Sequence, residues 1–562
     1  MEIHPRRCRR SKVLANNTTH PLNVSAGLTL VRHCTQRCTN FRVIHVVVEI
    51  RFLRVWKCFA GLFLRPVDLP PALIHDIVRQ ILDISMKPFH VSVHELHLLI
   101  NNLLQISRVK TVLCSVTGHN FKKEGSGFDL PIAVGVLASL GFITNTENLD
   151  KYMFIGELGL DGTIQPVKGA LPIAIKAREL GYKALFVPKS NAREAAVVDT
   201  LEIYGVTHLQ EIVSFLEGKT ILEQTIVDTR REFQQQQDHF DYDFAEVKGQ
   251  EQVKRAFEIA AAGGHNIILV GSPGCGKSMM AKRLPSILPP LSLSESLETT
   301  QIHSIAGQLS SETSLISQRP FRAPHHTISD VGLVGGNNTF TPGEICMAHN
   351  GILFLDELPE FSKKVLETLR QPLEDREITI ARAKYSVTMP CSFMLVASMN
   401  PCPCGYHHHP THSCTCTPAQ IQRYIGKISG PLMDRIDLQV EVEALPVEEM
   451  TKAPKGEPSA LIRERVIRAR KIQEQRFAGV KGIHCNAQMT TSMLHKYASI
   501  DETSTELLRT AMKRLDLSAR AYDRILKVAR TIADLDGSES IQSAHIAEAI
   551  GYRNLDRESW IE

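Results

Sequence analysis

The sequence predicts an α/β protein with a phosphate-binding core, a smaller α/β domain before it and a helical domain after it. Three observations predict this class. An apolar run leads into a glycine-rich loop near residue 271, short β-rich runs alternate with helical ones from 108 to 218, and apolar residues recur at helical spacing beyond 452. At 562 residues the chain is too long for one hydrophobic core. We expect five parts: residues 1–106, 107–220, 221–243, 244–447 and 448–562.

Composition narrows the class of protein further. The chain is 43% hydrophobic and carries a net charge of +4, too small for its size to indicate nucleic-acid binding by itself. No apolar run approaches the roughly 18 to 20 residues that cross a bilayer, so we expect no membrane association. Thirteen cysteines, four of them in one segment, suit a reducing compartment better than a disulfide scaffold. The expected location is the cytoplasm.

Residues 1–106 form an atypical N-terminal segment. They contain β-rich apolar runs and a basic stretch, Arg6–Arg10, but no motif that we can assign. We attribute the segment to a frameshift or a misassigned start in the gene. In that case the following domain is incomplete and the basic stretch has no function.

The first α/β domain and the linker follow from simple patterns. Residues 127–134 open a helix, and residues 152–158 and 184–188 are apolar, β-rich runs that predict strands. Residues 225–244 carry four consecutive glutamines among charges, which predicts a low-complexity linker. The next α/β block begins after it.

The phosphate-binding loop is the most specific motif in the chain. It follows the apolar run 266–270 and matches G-x-x-x-x-G-K-[ST] between a strand and a helix, so we predict a nucleoside triphosphate, ATP, with Mg²⁺. Glycines allow close backbone approach, Lys277 neutralises phosphate charge and Ser278 offers its hydroxyl to Mg²⁺. The predicted loop residues are Gly271, Ser272, Pro273, Gly274, Cys275, Gly276, Lys277 and Ser278.

Two further apolar runs end in polar residues. The run 351–355 ends in Asp356 and Glu357; we predict that Asp356 completes the Mg²⁺ shell and that Glu357 orients and deprotonates the attacking water. A strand simply capped by exposed acids is the alternative. The run 393–399 ends in Asn400, which is predicted to hold the water from the opposite side, unless it only forms a turn before Pro401.

A short basic hairpin and a cysteine cluster complete the motifs. Residues 377–389 alternate around a basic centre, which predicts a hairpin with Arg382 and Lys384 near its tip, either contacting phosphates of a nucleic acid or carrying ordinary solvated charge. Four soft ligands in one loop predict a structural Zn²⁺ site; reduced, unliganded thiols are the alternative. These ligands are Cys402, Cys404, Cys414 and Cys416.

Several segments together resemble the AAA+ ATPases of the Mg-chelatase-like ComM/YifB group. They are residues 322–327, 342–344, 351–361 and 400–405. The resemblance implies a homo-oligomeric ring, usually a hexamer, with ATP between subunits. It implies that Arg435 acts as an arginine finger toward the neighbouring subunit and that Arg520 is the sensor arginine of a helical lid, with Arg524 as its competitor. It also implies DNA, single-stranded or branched, as the polymer, and branch migration during natural transformation as the activity.

Residues 125–131 and 156–172 resemble the Lon protease fold. By the best match, the nucleophile position falls on Gly127 and the base position on Pro172, so we predict a non-proteolytic domain; Ser126 and Lys168 would each need a register shift. Two other functions remain open: a Mg-chelatase-type motor subunit that drives metal insertion, and an ATP-dependent Lon-like protease.

Overall fold

The computed structural model describes residues 126–237, 240–336, 341–382, 385–409, 411–444, 454–480 and 482–553. The atypical segment 1–106 and residues 107–125 of the predicted first domain lie outside the described residues. Residues 158–163 group apart from the other described residues, and within them the Thr163 hydroxyl donates to Asp161 Oδ1 at 2.7 Å. The other described residues belong to a single structural unit.

Among the described residues, all strands end by residue 442, and helices make up the regular structure after it. The strands are β1 Tyr152–Phe154, β2 Glu157–Leu158, β3 Ile164–Gln165, β4 Ala184–Pro188, β5 Glu202–Val206, β6 Ile267–Gly271, β7 Phe321–Arg322, β8 Ile352–Leu355, β9 Glu377–Arg382, β10 Tyr385–Pro390, β11 Met394–Met399 and β12 Leu438–Val442. The α-helices are α1 Asp129–Ser139, α2 Ala170–Glu179, α3 Ala192–Ala195, α4 Leu209–Leu216, α5 Thr229–Gln236, α6 Glu251–Gly263, α7 Lys277–Ala281, α8 Leu293–Ala306, α9 Asp330–Val334, α10 Glu344–Met347, α11 Lys363–Thr368, α12 Arg370–Asp375, α13 Pro418–Ile425, α14 Gly430–Met433, α15 Ser459–Arg476, α16 Thr491–Tyr497, α17 Glu502–Arg514, α18 Ala519–Leu535 and α19 Ser543–Gly551.

The first α/β domain contains a parallel sheet in the order β1-β4-β5. Its helix α1 and strand β4 lie where the sequence predicts them. The single predicted strand 152–158 is wrong, because the backbone leaves the sheet after Ile155. Gly156 then exchanges hydrogen bonds with the start of α1: its N–H donates to the Gly127 carbonyl at 3.0 Å and its carbonyl accepts from Leu130 N–H at 3.1 Å.

The core sheet has five parallel strands in the order β12-β6-β11-β8-β7. Side chains of a strand alternate between its two faces. In β6, Ile267 and Leu269 pack into one apolar cluster, while Ile268 and Val270 pack into another on the opposite face. Both faces are covered, which explains why β6, β8 and β11 read as continuous apolar runs.

The predicted linker is partly helical. It contains α5, which begins after Asp228, whose carboxylate accepts from Arg231 N–H at 3.1 Å. Glu232 of this helix pairs with Arg193 of the first domain at 2.8 Å and accepts from the Ser314 hydroxyl at 2.7 Å. The capped helix start and these contacts fix a short helix inside the glutamine-rich segment.

The helical C-terminal domain is observed as α15 to α19. Within α17, Leu508 is fully buried, whereas its neighbour Leu507, one of the residues that predicted this domain, is 38% exposed. Within the described ranges, no helix combines the length and apolar character needed to cross a membrane.

The predicted basic hairpin is formed by β9 and β10. Arg382 pairs with Tyr385 at the end of the hairpin. Lys384 lies outside the described residues, as does the side chain of Arg382.

Candidate active site

The phosphate-binding loop connects β6 to α7 at the carboxyl edge of the core sheet. Gly274 and Gly276 have φ values of 81° and 93°, a backbone region that residues with a Cβ rarely adopt. A Cβ at Gly271 would lie 2.3 Å from the Val442 carbonyl oxygen. All three glycines are therefore required by the backbone path, which leads directly into the N-terminus of α7, the kind of loop-to-helix junction that favours a polyphosphate.

Lys277 ties this loop to the neighbouring strand. Its side chain is 8% exposed, and Nζ donates to the carbonyls of Gly271 and Ser272 at 2.7 and 2.9 Å. Nζ also donates to Asn400 Oδ1 at 3.2 Å. The structure thus brings together the lysine and the asparagine that the sequence places 123 residues apart.

Ser278 and Asp356 also meet. The Ser278 hydroxyl donates to Asp356 Oδ2 at 2.7 Å, so a hydroxyl and a carboxylate, both ligands that Mg²⁺ prefers, lie side by side. The other oxygen, Oδ1, accepts from the Glu357 N–H at 3.1 Å and from the Ser398 hydroxyl. These contacts fit the predicted magnesium site, with one carboxylate oxygen held by the protein and one beside the serine.

Ser398 is a site residue that the sequence analysis missed. It is fully buried in β11, where its hydroxyl donates to Asp356 and accepts from the Glu357 N–H at 3.3 Å. The sequence did contain a signal for Ser398: it is a hydroxyl residue in an otherwise apolar strand, and a buried polar group needs a hydrogen-bond partner.

Glu357 stands at the end of β8 in a left-handed conformation, with φ 55° and ψ 52°. Its side chain is 54% exposed, and Oε2 lies 3.5 Å from His326 Nδ1. His326 in turn stacks against His325, with ring centroids 4.1 Å apart. His326 is the second residue that the sequence analysis missed; it lies in the segment 322–327 that carried the family resemblance but had no assigned role.

Arg435 contacts residues that lie outside the phosphate-binding loop. Arg435 is 7% exposed. Its guanidinium pairs with Glu374 and donates to the Pro431 carbonyl at 2.6 Å. Its Nε has no partner among the described residues. It lines an open cleft of about 350 Å³. The other lining residues are Glu367, Arg370, Gln371, Glu374 and Asp375. Its role toward a neighbouring subunit stays a prediction.

The two candidate sensor arginines differ in their surroundings. Arg520, in the first turn of α18, is exposed and forms no ion pair in the described part of the chain. Arg524, one turn later, donates to Asp437 Oδ1 at 3.0 Å. Asp437 is almost fully buried, and its carboxylate also lies 3.1 Å from His265 Nδ1. The other ring nitrogen of His265, Nε2, lies 2.8 Å from the Thr531 hydroxyl. Arg524 is thus committed to a buried network, which leaves Arg520 as the available arginine.

The buried network shifts the pKa of three groups. Burial disfavours the charged carboxylate of Asp437, but Arg524 and His265 outweigh it and hold its pKa well below the ordinary value. Burial lowers the pKa of His265. Burial, reinforced by the charge of Arg524, lowers the pKa of Lys527 from 10.5 to about 8. The network joins the start of β12 to the lid helix α18.

The four predicted cysteine ligands converge. Their Sγ atoms all lie within 4.8 Å of one another, and none is in a disulfide. Cys402 Sγ is 3.3 Å from Cys404 Sγ and 3.7 Å from Cys414 Sγ. The Cys404 N–H donates to Cys416 Sγ at 3.3 Å. Tetrahedral Zn²⁺ with Zn–S bonds of about 2.3 Å separates its sulfurs by about 3.8 Å, so the cluster could hold such a metal.

The positions that match a protease dyad carry no suitable groups. Gly127 lies in a short 3₁₀-helix and Pro172 lies in the first turn of α2. Neither residue offers a nucleophile or a base. Lys168, the nearby alternative base, lays its side-chain carbons over Gly307, where a Cβ would be 2.9 Å from Lys168 Cε.

Three family models match the chain. Residues 243–450 match the model described as magnesium chelatase, subunit ChlI, and residues 456–553 match the model for the C-terminal part of that subunit. Residues 92–191 match a third model, described as subunit ChlI of Mg-chelatase. The matches span the core sheet, the helical domain and the first α/β domain.

Curated relatives cover most of the chain. Competence protein ComM of Haemophilus influenzae is 41% identical over 449 residues, which are 80% of this chain and 86% of the relative. The protein YifB of Salmonella typhimurium is 40% identical with the same coverage. The magnesium-chelatase 38 kDa subunit of Cereibacter sphaeroides is 24% identical over 222 residues, 36% of this chain and 59% of that subunit. With its phosphate-binding loop, paired acids and helical C-terminal domain, the chain belongs to the Mg-chelatase-like AAA+ ATPases of the ComM/YifB family.

Proposed function

We propose that this protein is an ATP-hydrolysing ring motor that acts on single-stranded or branched DNA, as a branch-migration helicase or translocase in DNA uptake and recombination. The observation that carries the ATPase part is the convergence of Ser278 on Asp356 and of Lys277 on Asn400 at one edge of the sheet. The relative named as a competence protein supports the DNA part.

Each residue of the site has a task in hydrolysis. Ser278 and Asp356 would hold Mg²⁺, which supplies charge neutralisation for the phosphates of ATP. Lys277 contributes a fixed positive charge at the loop. Glu357 accepts the proton of the attacking water, and Asn400 orients that water from the other side. Ser398 fixes Asp356 and the Glu357 backbone through its two hydrogen bonds.

The ring completes the site. In the proposed homo-hexamer, Arg435 reaches the nucleotide of the adjacent subunit and Arg520 of the lid reaches the nucleotide of its own subunit. Arginine suits both positions because its planar fork stabilises charge that develops on phosphoryl oxygens. The exposure of Arg520 beside the committed Arg524 supports this division of roles.

DNA is proposed to run past the β9–β10 hairpins. Arg382 ends β9 and Lys384 immediately precedes β10 in the sequence, so a ring of subunits would present a circle of cations to phosphates. Contacts of this kind do not depend on base sequence, which suits a translocating motor.

We also propose that the four cysteines hold a structural Zn²⁺. Soft thiolate ligands at near-tetrahedral spacing favour this metal, and N–H groups directed at sulfur stabilise thiolates.

The ATPase is tested with Glu357→Gln and Lys277→Ala. Glu357→Gln should keep nucleotide binding and lose turnover by about 10²- to 10⁴-fold, since a general base is removed. Lys277→Ala should lose binding itself. The matched control is Glu360→Gln, an exposed acid three residues away that pairs with Lys427 at 3.4 Å. Normal turnover in Glu357→Gln would contradict the assigned role.

The DNA part needs its own assay. A labelled four-way junction should be resolved into its arms by the wild-type protein with ATP and not by Glu357→Gln. ATP turnover without binding to branched DNA would contradict this part. A metal-insertion role, which the chelatase family models favour, would instead show as ATP-dependent insertion of Mg²⁺ into a porphyrin with partner subunits.

A further inference from the structure

The cysteine cluster lies in a loop that begins at the nucleotide site. Cys402 is two residues beyond Asn400, and Cys416 is two residues before α13. Cys402 is fully buried, but most of the loop between residues 403 and 416 is exposed or half-exposed. A loop with so little buried apolar surface has little to offset the entropy of holding one conformation. Bonds from four cysteines to one metal would supply that restraint.

The loop also touches the phosphate-binding loop. Gly405, at φ 85°, packs so tightly that a Cβ there would lie 2.5 Å from Pro273 Cδ and 3.9 Å from Asn400 Cγ. The Gly405 N–H donates to Cys402 Sγ at 3.2 Å. A single backbone segment therefore contacts a cluster sulfur on one side and the nucleotide loop on the other.

A second route leads from the cluster to the lysine. Asn400, held by its short connection to Cys402, accepts from Lys277 Nζ at 3.2 Å. Lys277 Nζ also lies 3.7 Å from Cys275 Sγ inside the phosphate-binding loop. The positions of Asn400, Pro273 and Lys277 are thus all linked to the loop that carries the four sulfurs.

We propose that Zn²⁺ on Cys402, Cys404, Cys414 and Cys416 is a brace for the nucleotide site: the metal-held loop positions Asn400 and the Pro273 side of the phosphate-binding loop, so its metal state controls ATP turnover. The cysteines are positioning residues, because they act on the nucleotide site through Gly405 and Asn400. The link to turnover rests on the proposed ATPase function; the metal site itself does not.

Metal binding is measured first, on the full chain. Elemental analysis should find one zinc per wild-type chain, and Co²⁺ added to chelator-stripped protein should give the visible absorption of a tetrahedral thiolate site, saturating at one cobalt per chain. Cys414→Ser should lose this spectrum. The control is Thr415→Ala, an exposed residue between two ligands, which should keep it. Wild-type protein that binds neither metal would overturn the proposal.

The effect of the brace is measured by comparing the change in kcat with the change in the Kd for ATP. Stripped wild-type protein and Cys414→Ser should lose at least about tenfold in kcat while the Kd for ATP changes less than about threefold, because groups that position the water are displaced more than those that hold phosphates. Added Zn²⁺ should restore the stripped wild type and not the variant. Full kcat without metal would overturn the brace.

The variant Gly405→Ala tests whether the contact between Gly405 and Pro273 links the metal-held loop to ATP turnover. It should retain zinc and the cobalt spectrum yet lose turnover, because its Cβ would press on Pro273. Normal turnover in this variant would contradict the contact as the link. If the wild-type protein holds zinc and hydrolyses no ATP, the proposed ATPase function is wrong but the brace is still testable. In that case zinc must slow hydrogen exchange in residues 398–405, and unchanged exchange would overturn the brace.

Discussion

At the scale of single residues, Glu357 is unusual because it combines a left-handed backbone with an exposed side chain. Such a conformation in a residue with a Cβ costs about 1 kcal/mol or more and persists only where its surroundings fix it. Here the Glu357 N–H donates to both Asp356 and Ser398. The result is a carboxylate that leaves the sheet edge and faces His326.

We predict that His326→Ala lowers kcat by about three- to tenfold with little change in KM, because the Glu357 carboxylate loses the neighbour that restricts its position. Steady-state ATP hydrolysis measures this. His495→Ala is the control, since His495 is an exposed histidine in α16. Equal effects of the two substitutions would contradict a specific role for His326.

Some residues of the site can be identified from the sequence alone, whereas others can be identified only from their contacts in the fold. Lys277, Ser278 and Asp356 lie in contiguous motifs whose chemistry requires those residue types, and the structure places them together. Ser398 and His326 gain their meaning from partners that only the fold supplies; the Ser398 contact spans 42 residues of sequence. No local pattern reports such a pairing.

At the scale of elements, the lid helix α18 is joined to strand β12 by buried charges rather than by apolar packing alone. The partners Arg524 and His265 lie 87 and 172 residues from Asp437 in the sequence. The helical spacing in the C-terminal domain predicted the helix, but it could not predict which polar residues would be buried, because burial depends on the element that packs against them.

Lys527 of the same helix gives a pH prediction. Its pKa falls from 10.5 to about 8 in the folded chain, so between these values the unfolded chain holds more protons and stability rises with pH. We expect urea unfolding to show the wild type gaining on the order of 3 kcal/mol relative to Lys527→Met across this window. The exposed Lys513→Met serves as control. Parallel pH curves for wild type and Lys527→Met would contradict the assignment.

The hairpin of β9 and β10 gives a binding prediction. Arg382→Ala with Lys384→Ala should weaken DNA binding uniformly across sequences and reduce the slope of log K against log salt by about 1 for each cation removed. Fluorescence anisotropy at several salt concentrations measures both effects. Lys363→Ala, an exposed lysine at the start of α11, is the control. An unchanged slope would show that these two cations do not contact phosphates.

At the scale of the whole molecule, the proposed ring predicts that Arg435 acts between subunits. Arg435→Ala should lower ATP turnover by about 10³- to 10⁵-fold, the usual contribution of an arginine finger. Mixing it with the Lys277→Ala protein should restore a measurable fraction, because one chain keeps the nucleotide loop and the other keeps the arginine. No recovery on mixing, from two folded proteins, would contradict a role between subunits.

The segment 435–437 has a consequence for how such a ring would work. Arg435 and Asp437 are two residues apart, yet one is proposed to face the next subunit while the other is bonded to the lid through Arg524. In the proposed ring, a rotation of the C-terminal helical domain in one subunit would strain the same short stretch of backbone that carries the arginine offered to its neighbour. Hydrolysis events around the assembly would then follow one another in sequence instead of occurring at random.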